Sequence, residues 1–515
     1  MTSTFHGLEV AKRGMFAQQS ALYTTGHNIS NANTDGYSRQ RVNFEQTAPY
    51  PPASRNRPEM PGQMGSGVQA GTIERVREGF LDAQFRGENH KAGYYTAKSD
   101  ALGKMEEVMN EPSDQGLSKT MDRFWQSLQD LSAQPEDSGV RSQVKQRGKA
   151  VADTFNYLSD SLNGIKQDFK NQIDVAEKDI NSLARQINNL NNQISEVEPH
   201  GYLPNDLYDE RDRLIDELST QANIKVSYEE SSSSALAQAQ GKATVEIVDG
   251  DGNSLFTNGG NSVPLVDGSS NTYNQISVQD TDSNGGMDTV SLGGSASVDA
   301  KDFQSVGKMM GLIDSYGYDD GGSVKGTYPE MLNELDGMAH TFAEEFNRVQ
   351  KSGFSINQIN NPNSPPPSVN FFTATTASNQ DGFAGSMSVN ITDGNDIAAA
   401  NTQNAGDGDN AIDLADVNST TLDYNGTEAS FQSYYEGVIG EMAIQSQEAT
   451  RLQNNSETLR QSVEERRQSV SGVSLDEEMS NMIKYQHAYN AAARNLTTVD
   501  EMLDKIINGM GRVGR

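Results

Sequence analysis

Residues 151–197 read VADTFNYLSDSLNGIKQDFKNQIDVAEKDINSLARQINNLNNQISEV. Apolar side chains recur at Val151, Phe155, Leu158, Leu162, Ile165, Phe169, Ile173, Ala176, Ile180, Leu183, Ile187, Leu190, Ile194 and Val197. The steps alternate four and three, apart from one stutter at Phe169. A 3.5-residue period of this kind lays one narrow apolar stripe along a helix. A stutter unwinds the supercoil locally. Gln, Asn, Asp and Lys fill the other faces, and Pro199 with Gly201 closes the element. Beyond them Asp206–Gln221 carries Leu207, Leu214 and Leu218 on one face, so a second helix folds back on the first as an antiparallel hairpin.

Outward from this hairpin the pattern changes twice. From Ile224 to about Val306, short alternating runs such as Val245 with Ile247 and Ile276 with Val278 are separated by Gly, Asn, Asp and Ser, which are strand and turn signals. Helical spacing returns at Met331, Leu335, Met338, Phe342, Phe346 and Val349. Residues 357–423 lack it and read as irregular or β. The chain is helical again at Phe431, Tyr435, Val438 and Met442, and then at Leu452, Leu459 and Val463. At the two ends, Leu8, Met15, Leu22 and Ile29 are spaced by seven, as are Leu475, Met482, Tyr489, Leu496 and Leu503. These are coiled-coil seams. Neither seam has another core beside it, so the ends are expected to pair with each other or with neighbouring molecules, and to be disordered in a free monomer.

The fold class expected is mainly α with inserted β: long-helix, coiled-coil domains formed by both chain ends, plus a β-rich outer domain. The expected divisions are terminal assembly segments 1–45 and 470–515; an elongated helical body of 46–225, 301–356 and 424–469; a β-rich insertion, 226–300; and an irregular or β-containing segment, 357–423, beside the helical body.

Composition narrows the function. With 515 residues the chain is long enough for several domains, yet only 34% of it is apolar. A formal charge of −31 opposes binding to nucleic acid or to an anionic membrane. The absence of cysteine removes thiol catalysis, thiolate metal sites and disulfides. There is no apolar run of membrane-spanning length, and the first thirty residues lack the features of a cleaved signal, which by itself reads as a soluble cytoplasmic protein.

Fragments that resemble chemical motifs fail on context. Gly509, Gly511 and Gly514 spell G-x-G-x-x-G with no following helix. Asp249, Asp251 and Asn253 open like a calcium loop, but Ser254 and Gly260 stand where Gly and Glu are required, so a tight turn is the better reading. Asp407 to Asp409 reads the same way. The six histidines make no helical metal pair, and G-x-S-x-G is absent. Trp125 beside Phe124 reads as a core anchor, and Glu464 to Arg467 as a solvated helix face. No catalytic residue, cofactor site or metal site is assigned, and the chain reads as a non-enzyme.

One passage is more specific. Asn28-Ile29-Ser30-Asn31-Ala32-Asn33-Thr34-Asp35-Gly36-Tyr37-Ser38-Arg39-Gln40 ends the first helix, with Gly36 free to take a positive φ. It resembles the N-terminal signature of flagellar rod, hook and hook-associated proteins, carried by Asn31, Ala32, Asn33, Thr34, Gly36, Tyr37 and Arg39. The stretch from Ser474 through Tyr485-Gln486-His487-Ala488-Tyr489 to Ile506 resembles the terminal helix of the same group. Between them come Gly67-Val68, Ile73-Glu74-Arg75, Phe80-Leu81, Asn110-Glu111-Pro112-Ser113, the long helix and Leu207-Tyr208-Asp209-Glu210-Arg211-Asp212. That order is similar to the hook-associated protein 1 family. Gln350 departs from it, standing where His is frequent.

The resemblance implies an extracellular structural subunit of the flagellum at the junction of hook and filament, exported unfolded by the flagellar type III apparatus without a cleaved signal. It implies self-association in a ring and, as partners, hook protein, hook-associated protein 3 and an export chaperone. The terminal seams would form the inner layer, with β-rich segments projecting outward. Two alternatives are a hook- or rod-type axial protein, which would lack the long helix, and an axial scaffold carrying an adhesin or enzyme insertion.

Overall fold

The computed structural model describes residues 5–51, 54–55, 62–109, 116–280, 285–361, 368–375 and 380–509. In chain order, α1 (His6–Ser30) is followed by an antiparallel hairpin of β1 (Gln40–Gln46) and β2 (Val68–Arg75). Four helices follow: α2 (Gly79–Met109), α3 (Leu117–Ala133), α4 (Ser138–Val197) and α5 (Asn205–Gln221). After a β region come α6 (Lys308–Tyr316), α7 (Thr327–Ser352) and three short helices, α8 (Ile356–Ile359), α9 (Phe383–Ser386) and α10 (Asp409–Asp416). The chain closes with α11 (Phe431–Ser471) and α12 (Leu475–Asp504). Asn110 to Ser113 and the tail beyond Gly509 lie outside the described residues.

Helix α4 is the spine. It begins thirteen residues before Val151, where the Asp137 carboxylate accepts from the N–H groups of Gly139 and Val140 and caps it. It ends at Val197 in a single 3₁₀ turn, with Gly201 at φ +78°. Residues of the 4-3 stripe from Val151 to Ile194 are buried, except the half-buried Ile165 and Leu190. Beside them Phe124 packs against Trp125, Phe342, Phe346, Phe371 and Phe372 with ring centroids 5.3–6.5 Å apart, and these rings fill the core between α3 and α7.

The polar residues of α4 also have structural work. Asn181 and Asn191 each bracket one strand residue: the Asn181 side chain bonds both N–H and C=O of Ile276, and Asn191 does the same for Ala243. Two sheets are thereby hung on the helix. The first is antiparallel, formed by Ile224–Glu229, Lys242–Ile247, Val266–Asp267 and Thr272–Tyr273. The second joins Ile276–Asp280, Met287–Leu292 and Ala296–Asp299 to Tyr318–Asp319 and Val324–Lys325, two short strands that follow α6. Residues 357–423 combine short strand pairs with α8, α9 and α10; Phe372–Ala374, for example, pairs with Met387–Val389.

Helix α5 lies against α4 and α2. Its approach to α2 is close at Gly93, where a Cβ would stand 2.2 Å from the carbonyl oxygen of Thr220. A glycine inside a helix costs about 1 kcal/mol relative to alanine, and here it is what lets the two backbones meet. Nearby, Asn89 donates to the Asp216 carbonyl oxygen at 2.8 Å.

Candidate assembly interface

The two ends of the chain pack together as α1 and α12. Two contacts set the register: Gly7 lies beside Val499, with an added Cβ 3.6 Å from its side chain, and the Asn28 amide donates to the Glu478 carboxylate at 3.1 Å. The chain advances 21 residues from Gly7 to Asn28 while it retreats 21 from Val499 to Glu478, so the pair is antiparallel and without slip.

On α12 the covered side comprises Glu478, Met482, Tyr485, Tyr489, Ala492, Leu496, Val499 and Leu503, in alternating steps of four and three. Met482, Tyr489 and Leu496 are half-buried on that side, and Leu503 is buried. Leu475 is not part of it. It stands at the first turn with 47% of its surface exposed, because the seam begins one turn later, at the buried Glu478. On α1, Leu8, Met15, Leu22 and Ile29 are half-buried. The deepest residues there are Ala17, Ala21, Thr24, Thr25 and Asn28, on another face. Helix α1 also packs on the β1–β2 hairpin, where Arg13 donates to the Ser66 carbonyl oxygen at 3.2 Å. Apolar side chains remain on the outer side of the pair: Phe16 and Tyr23 are 51% and 71% exposed, and Met479 and Ile483 58% and 54%.

The signature passage forms the elbow where this pair meets the body. Asn28, buried at 1% exposure, is its hub. Its Oδ1 accepts from the Tyr37 hydroxyl at 2.8 Å and the Gln40 N–H at 2.9 Å, and its amide donates to the Gln40 carbonyl oxygen. Burial, with the nearby carboxylates Asp206, Asp209 and Glu478, pushes the Tyr37 hydroxyl above its usual range, so it stays a neutral donor. Gly36 takes φ +76°. Arg39 pairs with Glu477, and its N–H donates to the Ser471 carbonyl oxygen at 2.8 Å, which ties the signature to the α11–α12 bend. Asn31 and Ala32 are half-buried, whereas Asn33 and Thr34 are exposed on an open groove of about 1020 Å³ between this loop, α5 and the end of α11.

Beneath the elbow lies a set of buried charges. Arg75 bonds Asp209 at 2.6 Å and Asp212 at 3.0 Å. Arg77 bonds Asp82 at 2.7 Å, and Arg86 bonds Asp216 at 2.7 Å. Arg467 also reaches Asp216, with its guanidinium 4.1 Å over the ring of Phe85. Burial alone would raise Asp212; Arg77, Arg75, Arg86 and Arg211 outweigh it and hold the carboxyl far below the usual range. Arg467 is therefore not on a solvated face, since it turns inward to Asp216 and Phe85. Sequence reading missed this cluster. The available signal was the spacing Asp206, Asp209, Asp212, Asp216, which places four carboxylates along one side of α5.

The remaining motifs are local. Asp249 accepts from the N–H groups of Asp251 and Asn253, and Asp407 from those of Asn401, Thr402 and Asp409, so both close turns. Gln350 is buried; its amide donates to Asp396 O and its Oε1 accepts from Ala398 N. Among the described residues no group of His, Asp and Glu is placed to hold a metal ion, and no helix is long and apolar enough to cross a membrane.

Comparison with known proteins gives matches to three family profiles. Residues 102–364 match the helical domain of flagellar hook-associated protein FlgK, residues 8–37 the flagella basal body rod protein, and residues 466–509 the C-terminal part of flagellar basal body rod FlgEFG proteins. The chain is 46% identical to flagellar hook-associated protein 1 of Bacillus subtilis over the full length of both. It is 26% identical to the protein of that name in Escherichia coli, over 97% of this chain and 98% of that one. In fold it is similar to the flagellar hook junction protein FlgK of Burkholderia pseudomallei: TM-score 0.58, 14% identity, covering 76% of this chain and all of that one.

Proposed function

Because this chain belongs to the flagellar hook-associated protein 1 family, whose members are structural parts of the flagellum and not enzymes, we propose that it is the subunit that joins hook to filament. It leaves the cell unfolded through the flagellar type III apparatus, held beforehand by an export chaperone. Outside, it forms a ring between hook protein and hook-associated protein 3. The terminal segments, 1–45 and 470–515, are the assembly surface of the ring. The helical body carries the next layer, and the β-rich segment faces outward.

The observation that carries this reading is the full-length likeness to the Bacillus subtilis protein. A second supports the part played by the ends: the paired helices leave four large apolar side chains, Phe16, Tyr23, Met479 and Ile483, in solvent. A structural role also agrees with a chain whose buried polar groups, such as Asn191 and Asp212, join elements.

Immunogold electron microscopy of cells that carry an epitope in the exposed Gly321–Gly322 turn tests the placement. Gold confined to the boundary of hook and filament is expected. Gold along the hook, in the rod, or nowhere on the appendage would refute the assignment.

A further inference from the structure

Helix α5 holds four aspartates, Asp206, Asp209, Asp212 and Asp216, at steps of three, three and four. Each takes hold of segments far away in the chain. Asp206 accepts from the Gln40 amide at 3.0 Å and lies 3.4 Å from His27. Asp209 accepts from the Ser38 N–H at 3.0 Å and pairs with Arg75. Asp212 sits among Arg75, Arg77 and Arg86, and also accepts from the Tyr228 hydroxyl at 3.2 Å. Asp216 receives Arg86 from α2 and Arg467 from the end of α11. One side of one helix therefore meets the signature elbow, the end of β2, the start of α2 and the last turns of α11. Those are the segments through which the terminal helix pair is joined to the rest of the molecule.

Such a construction is not an economical source of stability. Desolvating charges can cost as much as their pairing returns, and apolar residues of equal volume frequently stabilise as well or better. What hydrogen-bonded charge pairs add is geometry. A guanidinium fork accepts a carboxylate in few orientations, whereas apolar surfaces slide past one another at little cost. An element whose direction matters is well served by several such pairs in a row.

We propose that the aspartate ladder of α5 is a positioning device that sets the direction of the terminal helix pair relative to the helical body. Asp209, which holds the elbow from α5 through the Ser38 N–H, and Arg467, which reaches Asp216 from α11, are its positioning residues toward the terminal pair. The proposal rests on the assembly reading only for its consequence, that subunits with misdirected ends could not close a regular ring.

The test uses the full chain, which has no cysteine, so spin labels can be placed at will. One pair joins the body to the terminal unit, Lys178→Cys on α4 with Ser480→Cys on α12. A control pair lies within the terminal helix pair, Lys12→Cys on α1 with Ser480→Cys on α12. All three positions are exposed. The variant combines Asp209→Asn with Arg467→Met. Within the buried set each charge left behind keeps an opposite partner: Arg75 keeps Asp212, and Asp216 keeps Arg86; Glu464, which loses Arg467, keeps the Gln468 amide at 2.9 Å. In pulsed electron paramagnetic resonance the body-to-terminus pair should lose its single narrow distance, while the control distance and the thermal unfolding temperature are retained. A body-to-terminus distance that stays narrow would overturn the proposal. So would joint broadening of both distances with a lowered unfolding temperature, because the ladder would then only hold the fold. The readout is a distance within one chain, so it stands or falls apart from whether the protein joins hook to filament.

Discussion

Asp212 is 2% exposed and stays charged because guanidinium groups surround it, whereas His90, 8% exposed, is held neutral. Burial, aided by Lys91, lowers His90 from 6.5 to about 4. Both shifts act in one direction. A histidine whose folded pKa is depressed supports the fold fully above its unfolded value and loses that support as pH falls through the folded value. Asp212 behaves alike in a lower window, below the ordinary carboxylate range. Stability to urea should therefore fall between pH 6.5 and 4 by up to about 3 kcal/mol from His90 alone. His90→Gln should flatten that part of the profile, and an unchanged slope in the variant would refute the assignment. Removing one partner of the buried set is the harsher change. Asp212→Ala, which takes from Arg75, Arg77 and Arg86 the carboxylate they share and leaves them only Asp209, Asp82 and Asp216, should cost about 3–5 kcal/mol in urea unfolding. Little of this was legible in the sequence. Asp206 to Asp216 look like an ordinary charged helix face, and their partners Arg75, Arg77 and Arg467 come from both halves of the chain. Arg467 was misread for the same reason: nothing near it in sequence shows that Asp216 and Phe85 wait opposite.

At the scale of elements, periodicity was a good guide wherever one stripe dominates. Thirteen of the fourteen residues named along the Val151–Val197 run lie between Val151 and Ile194, and most of them are buried in α4. The start of that helix, Ser138, was not legible, since between Asp137 and Val151 only Val140 and Val144 carry the stripe. The strands that return after α6 could not be anticipated either, because two-residue strands have no period to read. Leu475 shows the converse failure: its spacing of seven continues a seam that the fold begins at Glu478, and a carboxylate does not announce itself as a seam residue. Two predictions belong here. Gly93→Ala should push α2 from α5 and cost about 1–3 kcal/mol, measured by urea unfolding. If the variant is as stable as the parent, the close approach at Thr220 is not what the glycine serves. Leu22→Asp or Leu496→Asp should leave the middle of the chain folded, by circular dichroism, and abolish incorporation into the flagellum in a complemented deletion strain. Normal filaments in either strain would remove those residues from the assembly surface.

For the whole molecule, the chain leaves the terminal helix pair, threads through the body and its β-rich side, and returns to the pair at its other end. Family membership rests on likeness across the entire length. The formal charge of −31 makes copies of the chain repel one another. The central claim is that this protein joins hook to filament, and deleting its gene tests it most directly, with cells imaged by electron microscopy and the medium assayed for flagellin. Hooks without filaments, with flagellin released into the medium, are predicted; cells that lack hooks, or that keep normal filaments, would contradict the account.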